Sequence, residues 1–237
     1  MTRPATPLAA STVVLVRPGQ RGLAEVFMNR RPENMDSYGG VYVFPGGRVE
    51  RNDWSAEMLT LTRGLLPTEA RAALESELQA ELCLGHWVAA VRELFEEAGI
   101  YFFVNAAAAD RDEKIVAQRL ATKRRALQQG EIDLASLLEA ENLACDLSRL
   151  KYFFHRITPD HYKIRFDTRF YIAALPKNQR PLPSSEEVEE SLWITPEAAL
   201  FASESGKYRM MPPTIAVLRT LAGYPDWGDL CATYDLS

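Results

Sequence analysis

The segment Arg92-Glu93-Leu94-Phe95-Glu96-Glu97-Ala98-Gly99-Ile100 gathers the residues of this 237-residue chain best suited to chemistry. Glu93, Glu96 and Glu97 stand at i, i+3 and i+4, so one helical turn brings three carboxylates within a few ångströms. They fall opposite Val91, Leu94 and Ala98. Like charges at this spacing destabilise a helix, and near its C-terminal end they also oppose the macrodipole. A hard divalent cation resolves the conflict, since magnesium is held by a few carboxylate oxygens, waters and substrate phosphates. Taken alone, such a cluster also reads as a solvated helix face. A second feature shifts the balance. Phe44-Pro45-Gly46-Gly47 is a strand end followed by two residues without side chains, which lets a backbone approach a ligand or metal closely.

The elements that must position these groups follow from periodicity. Residues 11–17 and 24–30 read as two strands joined by the turn Pro18–Gly22, and Val41–Phe44 as a third. The pattern turns helical from Ser55 to Ala98, with breaks expected at Pro67-Thr68 and at Gly85. Val88, Val91, Leu94, Phe95 and Ala98 form one apolar face, and Gly99 stands where a C′ glycine ends a helix. Residues 110–142 read as further helix. Strands return at 150–157 and 165–175, where Phe166, Thr168, Phe170 and Ile172 alternate with Arg165, Asp167, Arg169 and Tyr171. Leu192–Ile194 reads as a strand, Thr195-Pro196 as a capped helix start, and Met211–Thr214 as the start of a last helix ending near Gly223. This order of strands, helix, strands and helix predicts an α+β fold, an α/β/α sandwich with a mixed sheet.

Bulk properties exclude several classes. The chain is 47% hydrophobic and 25% charged, the composition of an ordinary globular protein. Its net charge of −5 argues against a nucleic-acid partner, because phosphate contacts require a basic face. The longest basic run, Lys123-Arg124-Arg125, reads as the solvated face of a helix. Cys83, Cys145 and Cys231 show no metal-ligand spacing, so reduced thiols and a cytoplasmic location are expected. The run Val13–Val16 is too short for a signal core or a membrane span, so no membrane partner is expected. The C-terminal residues carry no peroxisomal address.

The two halves together resemble the Nudix hydrolase superfamily, whose box runs Gly, five residues, Glu, seven residues, Arg-Glu-apolar-x-Glu-Glu-x-Gly-apolar. Gly47 fits the first position and Arg92 to Ile100 fit the second half. Asp53 stands in place of the first Glu, and residues 54–91 replace the seven-residue spacer. This interrupted box is similar to the coenzyme A diphosphatase-like branch, as are Arg165–Tyr171, Trp193–Glu197 and Pro212–Thr214. The resemblance implies one Nudix-type domain over residues 1–237, with 54–91 as a helical insertion within the box. The insertion is expected to contribute to a lid or a homodimer contact, because an amphipathic insert must bury its apolar face.

The resemblance also implies roles. Glu93, Glu96 and Glu97 would coordinate Mg²⁺ or Mn²⁺, with a carbonyl of Gly46 or Gly47 as a further ligand. A small-molecule nucleotide substrate carrying a diphosphate would be hydrolysed, coenzyme A or an acyl-coenzyme A being the lead. ADP-ribose, a dinucleotide or a nucleoside triphosphate is the alternative, and a non-catalytic ligand-binding module is a second one. The general base is expected to be Glu93 within the box or, downstream, Glu187 or Glu189. Arg92 would hold a loop or a carboxylate. Arg31 and Phe44 match the branch's substrate-binding stretch, whereas Asp36 stands where that stretch has a second arginine. Arg165 and Arg169 could bind phosphate or be paired on a surface strand. Phe166, Phe170 and Trp193 could stack on a base or belong to the core. His155 and His161 receive no role.

Overall fold

A computed structural model describes residues 5–35, 38–106, 113–182 and 188–236. The strands are β1 (Leu8–Pro18), β2 (Ala24–Arg30), β3 (Val41–Val43), β4 (Gly46–Arg48), β5 (Thr62–Arg63), β6 (Phe103–Asn105), β7 (Leu143–Asp146), β8 (Lys151–Ile157), β9 (Phe166–Ala174), β10 (Glu190–Ile194) and β11 (Arg209–Met210). The helices are α1 (Ala56–Thr60), α2 (Pro67–Ala73), α3 (Ala80–Ala98), α4 (Glu113–Gln128), α5 (Leu134–Glu141), α6 (Pro196–Glu204), α7 (Pro212–Leu221) and α8 (Trp227–Tyr234).

β1 organises the molecule. Its unbroken Val13–Val16 run is buried on both faces, as expected of a strand covered on both sides. Val13 and Leu15 join a core with α1 to α5, while Val14 and Val16 join a second core with α6, α7 and α8. The α/β/α sandwich follows directly from that alternation. On one side β1 runs parallel to β9, which pairs antiparallel with β8. On the other side its C-terminal end pairs with β2, whereas residues 10–12 pair antiparallel with β4. β10 adds to the outer side of β2, and β11 runs parallel to β3. A small sheet, β5-β7-β6, sits among the helices of the first layer.

Several expectations need correction. Gly85 does not break the helix: α3 runs through it, and a Cβ there would lie 2.8 Å from the Cβ of Trp54. The glycine serves close packing. Residues 113–141 form two helices, parted near Gly130, whose φ is +66°. Beyond Gly223 a further helix, α8, is capped by the Asp226 side chain and buries Leu230. The insertion 54–91 supplies α1, α2 and the start of α3, and its Met58, Ala70, Leu84 and Trp87 enter the main core. It buries its apolar face there, not over the cavity described below. The Gly99 expectation holds, with φ +69° and its N–H bonded to the Phe95 carbonyl. Among the described residues no helix is long and apolar enough to cross a membrane, and all three cysteines are free.

His86 is fully buried on α3, with its Nδ1 3.0 Å from the Ser11 hydroxyl. Burial, reinforced by the nearby Arg169 guanidinium, pushes its pKa down to about 3. The unfolded chain, with an ordinary value near ~6.5, therefore takes up the proton first. Stability is fully present above that value and falls as pH drops from about 6.5 towards 3. The slope contributed within this window is about 1.4 kcal/mol per pH unit. Urea midpoints at pH 7, 5.5 and 4.5 should decline more steeply for the wild type than for His86→Gln. Parallel slopes would contradict this assignment.

Candidate active site

The box residues are brought together by the pairing of β4 with β1 and by α3 packing across it. Arg92 is the hub. Its Nε donates to Asp53 Oδ1 at 2.8 Å and its Nη2 to Asp53 Oδ2 at 3.0 Å, a bidentate pair between buried side chains. Nη2 also donates to the Arg48 carbonyl at 2.8 Å, which ties the helix to the end of β4. Nη1 reaches Glu93 Oε1 at 2.8 Å and Glu96 Oε1 at 3.2 Å. Burial alone would weaken the guanidinium's charge, but Asp53, Glu93 and Glu96 outweigh it and hold Arg92 protonated.

Arg92 supplies one positive charge against three acids. Burial, only partly offset by Arg92, pushes the Glu93 carboxyl up to about 7. Burial raises Glu96 for the same reason. Glu97 is oriented from the sheet: Asn29 Nδ2 donates to Glu97 Oε2 at 3.0 Å, and Ser191 Oγ donates to Asn29 Oδ1 at 2.9 Å. The C-terminal end of α3 is closed by α4. Arg124 Nε donates to the Phe95 and Glu96 carbonyls, each at 2.9 Å, and its Nη2 to that of Glu97 at 3.1 Å. A buried cation on the last carbonyls offsets both the helix dipole and the glutamates. Arg124 is thus not part of a solvated face, which corrects the reading of the basic run.

Gly47 lies against this cluster, so closely that a Cβ there would sit 2.5 Å from Glu93 Oε1. A Cβ at Gly46 would sit 2.4 Å from the Ser11 carbonyl. Both glycines are required by close approach, one to the carboxylate and one to β1. Glu93, Glu96, Glu97 and both glycines line a cavity of about 1370 Å³. Its floor is the sheet face bearing Ala10, Thr12, Thr168 and Phe170, and one wall is the turn between α4 and α5, residues 127–136.

Among the described residues no three Asp, Glu, His or Cys side chains already converge as a metal nest. The reason is visible: Glu93 and Glu96 are turned onto Arg92 and Glu97 onto Asn29. The donors nonetheless suit a hard cation. Three carboxylate side chains with too little positive charge share one cavity, and Gly47 leaves its backbone bare beside one of them.

A family model, the NUDT19 Nudix domain, matches residues 5–221. The chain belongs to this Nudix family. Acyl-coenzyme A diphosphatase NUDT19 of Gallus gallus is 27% identical over 225 residues, covering 80% of this chain and 58% of the relative. The Xenopus laevis protein of the same name is 24% identical over 238 residues, covering 87% of this chain and 62% of the relative. The chain spans about three fifths of the length of the curated relatives it matches. Among solved structures, a NUDIX hydrolase from Alicyclobacillus acidocaldarius superposes with a TM-score of 0.75 at 26% identity, covering 98% of both chains.

Within this Nudix frame Asp53 has a defined place. It anchors Arg92, and its own carboxylate is fully occupied by that arginine and by the Glu50 N–H at 2.7 Å. Arg31 and Phe44 line the cavity, and so do Phe166 and Phe170. Other candidates are not brought there. Arg165 is bonded to the carbonyls of Thr158 and Ala5 and paired with Asp160. Arg169 lies on the opposite sheet face, paired with Asp167 at 2.8 Å, and Asp167 also holds His155. Strand alternation separates these arginines from the cavity-facing Thr168 and Phe170. Glu189 is paired with Arg30 at 3.0 Å and does not line the cavity. Trp193 packs on Phe27, with ring centroids 5.2 Å apart. Asp36, Glu186 and Glu187 lie outside the described residues.

Asn29, Ser191, Arg48, Arg124 and Arg156 join the site without having been singled out. Asn29 left a trace, a polar residue ending the apolar run Val26–Met28. The others depend on long-range packing that no local spacing encodes.

Proposed function

We propose that this Nudix domain hydrolyses the diphosphate linkage of a nucleoside diphosphate derivative of the coenzyme A type, using Mg²⁺ or Mn²⁺. The observation that carries this reading is that Glu93, Glu96 and Glu97 line one cavity of about 1370 Å³ that also presents Arg31 and Arg48. Neither arginine has a carboxylate partner among the described residues. An anionic substrate would satisfy both. The volume exceeds the ~300–1,000 Å³ of an ordinary small-molecule pocket, which leaves room for a ligand larger than a mononucleotide. The names of the chicken and frog relatives support a coenzyme A ester over ADP-ribose or a dinucleotide.

In this reading Glu93, Glu96, Glu97 and the Gly47 carbonyl hold the divalent cation. A bound ion would neutralise phosphate charge and polarise the phosphorus under attack. Arg31 and Arg48 orient the diphosphate, and Phe44 packs beside it. Glu93 is the base: it lies in the cavity against the glycine loop, whereas Glu189 is paired with Arg30 outside it. It accepts the proton of the water that attacks one phosphorus in line, and the second phosphate departs with its substituent. Arg92 keeps Glu93 and Glu96 aligned from behind.

The test is a panel of coenzyme A, acetyl-coenzyme A, ADP-ribose, NADH, FAD and dATP with Mg²⁺ or Mn²⁺, beside Glu97→Gln. Coenzyme A should yield adenosine 3′,5′-bisphosphate and phosphopantetheine, and the variant should not produce them. Turnover of another member would keep the hydrolase and discard the coenzyme A reading. A folded, metal-binding protein that cleaves nothing would make the domain a binding module.

A further inference from the structure

Besides Arg31, Arg48 and Arg92 the cavity holds a fourth arginine, Arg156, that the diphosphate reading leaves unused. Strand register gives its place. Arg48 on β4 pairs with Ala10 on β1, Ala10 with Thr168 on β9, and Thr168 with Arg156 on β8. Arg48 and Arg156 therefore end the same cross-strand row, on the sheet face that floors the cavity. Three strand spacings separate them by about 14 Å. Side chains stand roughly perpendicular to a sheet, so the two guanidinium groups stay apart. Arg48, next to Gly47, serves the box, and Arg156 ends the row on the far side, so anions held by the two guanidinium groups would lie between them.

Among the described residues Arg156 has no ion pair, and both acids of the β8–β9 hairpin are already matched. Asp160 pairs with Arg165, and Asp167 with Arg169 and His155 on the other face. Its one recorded interaction is with the Phe154 ring, 5.8 Å from the guanidinium carbon. Around it the cavity wall is apolar, formed by Ile157, Tyr162, Ile164 and Phe166. Arg156 is exposed at the rim of this wall, so its guanidinium is open to an anion entering the cavity. Arginine also matches phosphate oxygens in a bidentate manner.

We propose that Arg156 marks a second anion subsite, which takes a phosphate carried on the substrate's sugar in addition to its diphosphate. The proposal rests on the diphosphatase reading and sharpens it. It separates 3′-phosphorylated nucleotides from ADP-ribose, NADH and other diphosphates that lack the extra phosphate. Asn52, Asp133 and the α4–α5 turn close the cavity from above without contributing a competing cation.

The experiment is equilibrium binding of adenosine 3′,5′-bisphosphate and of adenosine 5′-phosphate to the wild type and to Arg156→Gln, with Mg²⁺ present. Arg156 is exposed, so the variant should fold, and circular dichroism checks it. The wild type should prefer the bisphosphate by about tenfold to a hundredfold, the range of a hydrogen bond to a charged group. Arg156→Gln should erase that preference while leaving the affinity for the monophosphate unchanged. In turnover, the same loss should appear as a raised KM for coenzyme A and not for 3′-dephospho-coenzyme A. A wild type without preference, or a variant that keeps it, overturns the proposal. So does a bisphosphate that fails to bind at millimolar concentration. Because binding is read without hydrolysis, a protein with the preference but no turnover would overturn the diphosphatase reading alone. One that cleaves both coenzymes equally and binds both adenosine phosphates equally would overturn the subsite alone.

Discussion

Glu93→Gln is expected to lower kcat by about a hundredfold to ten-thousandfold, the contribution of a well-placed general base. The substitution keeps the side chain's shape and leaves Oε1 able to accept the Arg92 Nη1–H, now made at 2.8 Å. Packing against Gly47, where no Cβ would fit, is likewise preserved. The loss should therefore appear in turnover, with circular dichroism unchanged and the urea midpoint near that of the wild type. Glu189→Gln is the matched control. Its carboxylate is half-exposed, paired with Arg30 and outside the cavity, so kcat should stay within about twofold. Rates measured on the two variants under saturating Mn²⁺ decide the matter. Retention of a tenth or more of the activity by Glu93→Gln would remove it from the base's role, and a large loss in Glu189→Gln would restore the downstream acid to it.

The contrast between Glu93 and Glu189 shows where sequence carried information. Three carboxylates within one helical turn, ended by a glycine, are a local pattern. Helical geometry alone puts them together, so their convergence was legible. The strand through Val13–Val16 was legible for the same reason, since a short β-branched run is a local signal, whereas its burial on both faces came only with the fold. Arg165 and Arg169 looked like equal candidates for phosphate because alternation places them on one face without saying which face meets the cavity. That choice is set by the neighbours of β9, and the cavity lies on the side of Thr168 and Phe170. Arg124 was misread because charge runs are normally solvated, and only the fold shows α4 delivering it to the carbonyls of Phe95, Glu96 and Glu97. Gly85 carried an ambiguous signal. A glycine inside a helix is a break or a close contact, and Trp54, thirty-one residues earlier, decides for contact.

Asp53→Asn should cost about 3–5 kcal/mol of folding stability, the range for removing one partner of a buried ion pair. The side chain is 2% exposed, and both its oxygens face the Arg92 guanidinium, with one also accepting the Glu50 N–H. Asparagine has the same outline but turns an N–H₂ group towards a guanidinium or towards that backbone N–H. Either arrangement leaves donors opposed and removes the bidentate partner that fixes the buried Arg92 guanidinium. Activity should fall with stability, because Arg92 also fixes the Arg48 carbonyl, Glu93 and Glu96. Asp53→Glu separates charge from fit. It restores the counter-charge but adds a methylene to a filled space, a cost of about 1–3 kcal/mol. Urea unfolding of the three proteins should therefore rank wild type above Asp53→Glu, and Asp53→Glu above Asp53→Asn. An Asp53→Asn protein as stable as the wild type would show that Arg92 is held by the box glutamates alone. The shorter acid would then be a spacer, whereas the expected ranking makes it the counter-ion on which the alignment of the box depends.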